Sequence, residues 1–220
     1  MIRRRYLRNK NKINVPTPDC YYDFGKGSND DVNRNTIKDY SGNGNDAVAH
    51  NFAWNEEGSG YKDGTLYFDG VDDYVSLDAF DSGFKTMFIK CSYVSLNTIL
   101  YDQRKVGTEQ EDCINTSVYE TGFYGRNKYG KTYINGVYNK PGSTLIASKL
   151  SNKRILITST FKGDYTSTPC IASSNVNKGM YCNMVLYKLL GFKEALTEEQ
   201  IQAVIKKYNL LDGVDEIEVS

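Results

Sequence analysis

The chain has 220 residues, with 27 basic and 27 acidic side chains and a single histidine. This length suits one all-β domain with a sizeable core, and an aromatic content of 13% with 18 tyrosines argues against disorder. No apolar run reaches the roughly 18 residues of a membrane span and no apolar secretion signal is visible, so we expect a soluble protein made in the cytoplasm.

Residues 1–17 have the features of a basic, extended arm. Residues 1–18 carry six of the 27 basic residues and no acid, so the rest of the chain has 21 basic and 27 acidic residues, a net charge of about −6. The arm ends in Pro16-Thr17-Pro18, where fixed φ angles favour extended backbone. We therefore expect three parts: the arm at 1–17, a folded domain at 18–212, and an acidic tail at 213–220.

The rest of the chain contains many short segments in which apolar and polar residues alternate, which is typical of half-buried β-strands. The sequence predicts strands at 20–24, 47–53, 65–68, 73–77, 84–94, 98–102, 117–124, 131–134, 137–139, 154–161, 169–172 and 180–190. Asn135-Gly136 supplies the two positive φ angles of a tight type I′ hairpin turn. This pattern predicts an all-β fold of two packed antiparallel sheets.

One segment near the C-terminus has the pattern of a helix. Thr197 and Gln200 form a capping-box pair at its start, and its apolar residues follow the spacing of one helix face: Ile201, Val204, Ile205 and Tyr208. Glutamates stand at its beginning and lysines at its end, as the helix dipole favours. We expect a short C-terminal helix that starts at about Thr197 and lies against the edge of the sandwich.

Three segments, in this order, resemble a known family. DYSGNGND at 39–46 looks like a D-x-SGNGN turn, LYFDGVDDYVSL at 66–77 reads as strand, Asp-Gly corner and strand, and ALTEEQI at 195–201 is similar to a closing "ALT-x-x-Q-I" element. Together they resemble the laminin-G-like, concanavalin-type domains over about residues 20–208. The resemblance implies a two-sheet antiparallel jelly roll. It says little about the ligand, because this fold serves lectins, adhesion modules, enzymes and virion proteins.

Calcium is the cofactor that the resemblance implies. Many members hold Ca²⁺ near the SGNGN turn, and Asp39, Asn43 and Asp46 offer hard oxygen ligands close together. A second corner carries three more carboxylates: Asp69, Asp72 and Asp73. Alternatively, these aspartates and asparagines hydrogen-bond their own backbone, as such residues do in turns that hold no metal.

The sequence predicts no enzymatic activity. His50 would have to serve any Ser-His-Asp arrangement, and nothing near it favours that over ordinary hydrogen bonding. Glucanases of the resembled fold carry carboxylates at alternate positions of one strand, whereas the densest acidic run here, at 109–112, lacks apolar alternation and is predicted to be a solvated loop. The five cysteines lack CxxC spacing, and we expect buried thiols.

Sugar binding would need exposed aromatic rings beside amide or carboxylate groups. Trp54, the only tryptophan, precedes a polar loop, while Tyr124 and Tyr129 flank a Gly-Arg-Asn-Lys segment. These three rings are candidates for stacking on a cell-surface glycan. Many of the 18 tyrosines must, however, belong to the core or the sheet surfaces.

Two classes of function remain. The first is a non-catalytic structural component of a virion, such as a bacteriophage head decoration, head fibre or tail-associated protein, tethered to other virion proteins by its arm. The second is a glycan-binding lectin or adhesion module, with a glycoside hydrolase as a weaker third. The lack of a secretion signal favours the first, because virion proteins are made in the host cytoplasm. We expect the arm to bind protein rather than nucleic acid, since apolar residues stand among its basic ones: Arg3, Arg4, Arg5, Tyr6, Leu7, Arg8, Lys10 and Lys12.

Overall fold

The computed structural model describes residues 13–55, 57–105, 113–116, 130–139, 147–161, 166–174 and 179–217. Within these residues the chain forms short strands and two helices. The strands are β1 (Cys20–Asp23), β2 (Thr36–Ile37), β3 (Ala47–His50), β4 (Gly60–Lys62), β5 (Thr65–Asp69), β6 (Tyr74–Ser76), β7 (Thr86–Tyr93), β8 (Ile99–Arg104), β9 (Cys113–Asn115), β10 (Thr132–Ile134), β11 (Val137–Asn139), β12 (Ile155–Thr160), β13 (Thr166–Ile171) and β14 (Asn183–Phe192). The helices are α1 (Ala147–Leu150) and α2 (Glu198–Lys207).

The described strands form two sheets in which every pairing is antiparallel. The larger sheet has eight strands in the order β11-β10-β12-β7-β14-β5-β4, and β1 pairs with the C-terminal half of β14. The smaller sheet has six strands in the order β2-β3-β6-β13-β8-β9. The prediction of a two-sheet antiparallel sandwich with a short C-terminal helix is confirmed.

The main core consists of side chains that both sheets direct toward one another. Alternate residues of the long central strands supply it, for example Met87, Ile89 and Cys91 of β7 and Met184 and Leu186 of β14. All five cysteines are buried thiols, as the sequence predicted. Among the described residues, we find no helix with the length and apolar character needed to span a bilayer.

Helix α2 packs on the outer face of the larger sheet, where it forms a second apolar layer. Its residues Ile201, Val204 and Ile205 lie over outward-facing side chains of the central strands: Phe88, Leu156, Leu190 and Phe192. The prediction that this helix lies at the sandwich edge was therefore wrong. The central strands carry apolar residues on both faces, so β7 is buried almost throughout and offers the helix an apolar surface.

The two clearest local sequence patterns, the capping box of α2 and the Asn-Gly hairpin turn, both form as predicted. The Thr197 hydroxyl accepts a hydrogen bond from the Gln200 backbone N–H at 3.3 Å, and the Gln200 side chain accepts one from the Thr197 N–H at 2.9 Å. Asn135 and Gly136 have φ angles of 49° and 81°, and Ile134 pairs with Val137 across the predicted hairpin. The sequence did not predict β2, β4, β9 or α1. The predicted strand at 117–124 lies outside the described residues.

Both ends of the described chain pack on the sandwich. Val15 contacts the α2 layer, so packing begins before the predicted domain boundary at residue 18. Val214 packs against the same layer, and the Asp215 N–H donates to the Arg154 carbonyl at 2.8 Å. Residues 213–217, predicted as the start of a tail, thus lie along the larger sheet.

Candidate functional sites

The SGNGN turn holds the peptide that joins the arm to the sandwich. The Asp19 carbonyl accepts hydrogen bonds from the Asn45 side-chain amide at 2.9 Å, from that of Asn43 at 3.1 Å and from the Ser41 hydroxyl at 3.4 Å. The Asn43 amide also donates to the carbonyl of Pro18, a buried residue, at 3.1 Å. We call Ser41, Asn43 and Asn45 the arm clamp.

Two further bonds fix Asp19 to β14 and to Lys193, the residue that follows this strand. The Asp19 N–H donates to the Gly191 carbonyl at 2.8 Å, and the Asp19 carboxylate accepts from the Lys193 N–H at 2.7 Å. Asp19 is therefore bonded through its N–H, its carbonyl and its side chain. These bonds fix the chain at Asp19, four residues after Val15 contacts the α2 layer.

The carboxylate of Asp39 organises the turn that carries the arm clamp. One oxygen accepts from the backbone N–H groups of Tyr21 and Ser41 at 2.9 and 2.8 Å. The other accepts from the Ser41 hydroxyl at 2.7 Å and the Asn45 N–H at 3.0 Å. Burial opposes ionisation, but these four hydrogen bonds outweigh it and lower the pKa of Asp39.

The predicted calcium ligands lie in this turn and already have hydrogen-bond partners. Both carboxylate oxygens of Asp39 face N–H or O–H donors, a carboxylate oxygen of Asp46 accepts from the Asp39 N–H at 2.8 Å, and the Asn43 amide faces backbone carbonyls. These bonds explain the residue types of the turn without an ion, as the alternative interpretation of the motif holds. A Ca²⁺ ion at Asp39, Asn43 and Asp46 stays a prediction.

The second acidic corner differs in its chemistry. Carboxylate oxygens of Asp69, Asp72 and Asp73 lie within 4.8 Å of one another. Asp73 is buried and accepts two hydrogen bonds, from the Ser59 hydroxyl at 3.0 Å and the Asp69 N–H at 2.9 Å. Burial, together with the nearby Asp69 charge, raises the pKa of Asp73 to about 6.

Gly70 allows this corner to pack against β14. Its φ is 81°, and a Cβ at this position would lie 2.8 Å from the Asn183 backbone nitrogen. The corner therefore requires glycine for both conformation and space, as its Asp-Gly sequence predicts.

His50 lies on the outer face of the smaller sheet in an arrangement unlike that of a hydrolase. Its Nε2 is 2.8 Å from the Ser76 hydroxyl, which in turn donates to Asp78 at 2.9 Å, and its ring stacks on Tyr74 at 4.3 Å. A catalytic triad requires the histidine between the serine and the carboxylate. Here the serine is in the middle and its proton is directed to the carboxylate, so this arrangement does not supply a histidine-activated nucleophile.

Trp54 belongs to an aromatic stack at one end of the sandwich. Its ring lies 4.9 Å from Phe52 and 5.5 Å from Tyr61, and the Arg34 guanidinium is 6.0 Å away. Its φ of 56° is rare for a bulky residue, and strain of this kind is often retained at functional positions. Tyr124 and Tyr129, the other predicted sugar contacts, lie outside the described residues, as do the acidic run at 109–112 and arm residues 1–12.

The sequence did not predict two charged groups on the outer faces of the sheets. Asp102 and Arg104 form a buried, bidentate ion pair with N–O distances of 2.8 and 2.6 Å. On the larger sheet, Lys90 and Lys188 lie directly opposite each other, near Arg154. A charged residue inside an apolar run, as in Ile89-Lys90-Cys91, was the available signal for the second group.

Searches against protein-family models, curated proteins and solved structures found no match for this chain. The resemblance to laminin-G-like domains therefore remains a proposal, based on three sequence motifs and compatible with the β-sandwich.

Proposed function

We propose that this protein is a non-catalytic structural component of a virion, in which the β-sandwich is held on a larger assembly by its basic N-terminal arm. The arm clamp is the observation that carries the proposal. Side chains of three residues converge on the peptide that joins arm and body, and the Asp19 N–H donates to the Gly191 carbonyl of β14 as well. A tether that positions a rigid body needs such a fixed base.

Charge and exposure support a protein partner for the arm. The arm is basic, whereas the rest of the chain carries a net charge of about −6. The positive charge of the arm would be attracted to an acidic surface on a partner protein. Ile13, the first described residue, is 47% exposed although apolar, and Tyr6 and Leu7 precede it in the sequence. Apolar side chains of this kind can fill pockets on a protein surface.

The experiment compares sedimentation of the tagged full chain with that of arm variants expressed in the source cells. We expect the full chain to travel with a large particle, and we expect Tyr6→Ala with Leu7→Ala to remain at the top of the gradient. Val32→Ala, a truncation at a residue that is 94% exposed on the body, is the matched control and should sediment with the particle. A full chain that sediments only as a 24.9 kDa monomer would contradict the proposal.

Nuclease treatment tests the choice between protein and nucleic acid as the arm's partner. We expect the full chain to stay on the particle after digestion and to dissociate gradually as salt rises, since the basic residues contribute a screened attraction. Release by nuclease at constant salt would show that the arm binds nucleic acid.

A second candidate function, glycan binding, is favoured by one observation, the conformation and surroundings of Trp54. A strained tryptophan beside Tyr61, with Arg34 within 6.0 Å, combines ring faces with a hydrogen-bond donor, the groups that sugars bind. We expect Trp54→Ala to remove binding on a glycan array and Tyr138→Ala to preserve it, because the half-buried Tyr138 lies in β11, at the opposite edge of the larger sheet from β4 and Tyr61. Circular dichroism must show that both variants fold, and an array without any signal for the parent protein would remove this function.

A further inference from the structure

A group of three cations lies on the outer face of the larger sheet, beside the area that α2 covers. Antiparallel pairing of β7 and β14 places Lys90 directly opposite Lys188. The Arg154 guanidinium lies 4.3 Å from the Tyr187 ring centre, and the Lys90 ammonium lies 6.0 Å from the same centre. A register shift in β14 between Leu186 and Lys188 brings Tyr187 into this group. We call Lys90, Lys188 and Arg154 the cation cluster.

Lys90 is unusual because it is charged and only 6% exposed. Its ammonium has three N–H donors, and within the described residues it has one hydrogen-bond acceptor, the Asp212 carbonyl. The other two donors of this buried ammonium group have no acceptor among the residues that the structure describes. Burial, and then the Lys188 charge, lower the pKa of Lys90.

Among the described residues, no carboxylate oxygen lies within 4.0 Å of a charged nitrogen of the cation cluster. In the part of the chain that the structure describes, the single ion pair within 4.0 Å is Arg104–Asp102, on the other sheet. Asp23 pairs in register with Lys188, but its carboxylate accepts a hydrogen bond from the Tyr21 hydroxyl at 3.2 Å and does not reach the lysine. The Asp212 carboxylate is also beyond 4.0 Å and is exposed.

Such an arrangement is costly without a ligand. Like charges directly opposite in a sheet destabilise it, and a buried charge that lacks a counter-ion destabilises it further. The chain after the arm has more acidic than basic residues, yet the three cations of the cluster lie together. An anion that bridges the three side chains would satisfy the unused donors and relieve the repulsion.

We propose that the cation cluster binds a tetrahedral oxyanion, a phosphate or sulfate group. The planar guanidinium of Arg154 suits two oxygens of such a group, and the two ammonium groups suit the others as point charges. The group is either a free ion or an ester carried by a small ligand such as a sugar. The cation cluster shares no residue with the arm clamp, so this proposal does not depend on the function proposed for the arm.

Calorimetric titration of the full chain with sodium phosphate and sodium sulfate, against sodium chloride at equal ionic strength, tests the proposal. We expect saturable binding of phosphate or sulfate and none of chloride. Glucose 6-phosphate, glucose 6-sulfate and glucose then distinguish the sources. A sugar ester that binds more tightly than the free ion indicates an esterified ligand, and the reverse order indicates a free ion.

Variants locate the binding site. Lys188→Gln and Arg154→Gln should each weaken oxyanion binding at least tenfold, since each removes a charge-assisted contact. Lys38→Gln, which removes an exposed lysine from the smaller sheet's side of the molecule, should leave the affinity unchanged. The proposal is overturned if phosphate and sulfate give no more heat than chloride, or if both cluster variants, shown to be folded by circular dichroism, bind as the parent does.

Discussion

Asp39 and Asp73 are both buried aspartates in acidic turns of one sandwich, yet their carboxyl groups have opposite ionisation behaviour. Asp39 accepts four hydrogen bonds, and its pKa is lowered despite burial. Asp73 accepts two, lies beside another carboxylate, and has its pKa raised to about 6. Burial raises the pKa of both carboxyl groups, so the number of donors and the nearest like charge account for the difference between them.

This difference separates the roles of the two turns. The Asp39 turn is held by a permanent negative charge and carries the arm clamp, so its geometry is the same across the neutral pH range. The Asp73 corner joins two strands of the sandwich and titrates close to neutrality. Of the two, the first turn is the one that bonds to the Pro18–Asp19 peptide at the base of the arm.

The largest expected effect is that of Asp39→Ala. It leaves three backbone N–H groups and one hydroxyl without their acceptor, so the free energy of unfolding should fall by about 2–4 kcal/mol. Urea denaturation measures this change. Asp30→Ala, at an exposed position, is the control and should change the free energy by less than about 0.5 kcal/mol. Equal effects of the two substitutions would show that the four bonds do not stabilise the turn.

Calcium binding is a second way to distinguish the Asp39 turn from the Asp73 corner. An ion at Asp39, Asn43 and Asp46 should stabilise the native state by about 2.7 kcal/mol at a hundredfold excess over Kd. Thermal unfolding should show this gain in the parent and in Asp72→Asn, but not in Asp46→Asn. A melting temperature that EGTA leaves unchanged would remove the calcium prediction and assign the turn to its hydrogen bonds alone.

The arm clamp should contribute less than the carboxylate that supports it. Asn43→Ala combined with Asn45→Ala removes the amide donors to the Asp19 carbonyl, and the expected loss is about 1–2 kcal/mol. Hydrogen exchange should show faster exchange of the Asp19 amide in this double variant. Asn33→Ala, at an exposed asparagine, should leave that amide unchanged. Unaltered exchange in the double variant would mean that the clamp does not hold the arm's base.

The smallest expected effect is a difference in pH dependence. Because the pKa of Asp73 is raised from 3.8 to about 6, its stabilising contribution is complete below about pH 4 and is lost as the pH rises through 6. Lowering the pH from 7 to 5 should therefore stabilise the parent relative to Asp73→Asn, on the order of 1 kcal/mol. The pKa of Asp39 is lowered, so its contribution is lost only below about pH 4.

Urea denaturation of the parent, Asp73→Asn and Asp39→Asn at pH 7 and pH 5 measures both quantities. The free energy of unfolding of the parent minus that of Asp39→Asn should be the same at the two pH values. The free energy of unfolding of the parent minus that of Asp73→Asn should be more positive at pH 5 than at pH 7. The opposite result would reverse the assignment of charge states.

Sequence reasoning succeeded where the signal was local. The capping pair Thr197 and Gln200 and the Asn135-Gly136 turn each identify an element without knowledge of its neighbours. Strand β2 has two residues, too few for alternation, and exists because β3 pairs with it. The helix was placed at the edge of the sandwich because sequence does not show that outward-facing residues of several strands form one apolar surface.

The chemistry of the sites was less predictable, because it depends on residues far apart in the chain. Asp39 and Asp73 look alike in sequence, and their donors include Tyr21 and Ser59, which are distant from them along the chain. Lys90 and Lys188 meet only through the pairing of β7 with β14. The motifs located the acidic turns correctly, but the partners that set their charge become visible only in the folded chain.

Deletion of residues 2–12 tests the central claim, that the sandwich folds on its own and the arm attaches it to a larger assembly. This deletion keeps Val15, the clamped Pro18–Asp19 peptide and the whole described body. We expect its free energy of unfolding in urea to stay within about 1 kcal/mol of the full chain, as for a change outside the core, and its sedimentation with native particles to be lost. A truncated chain that unfolds, or that sediments with particles at the occupancy of the full chain, would contradict the account.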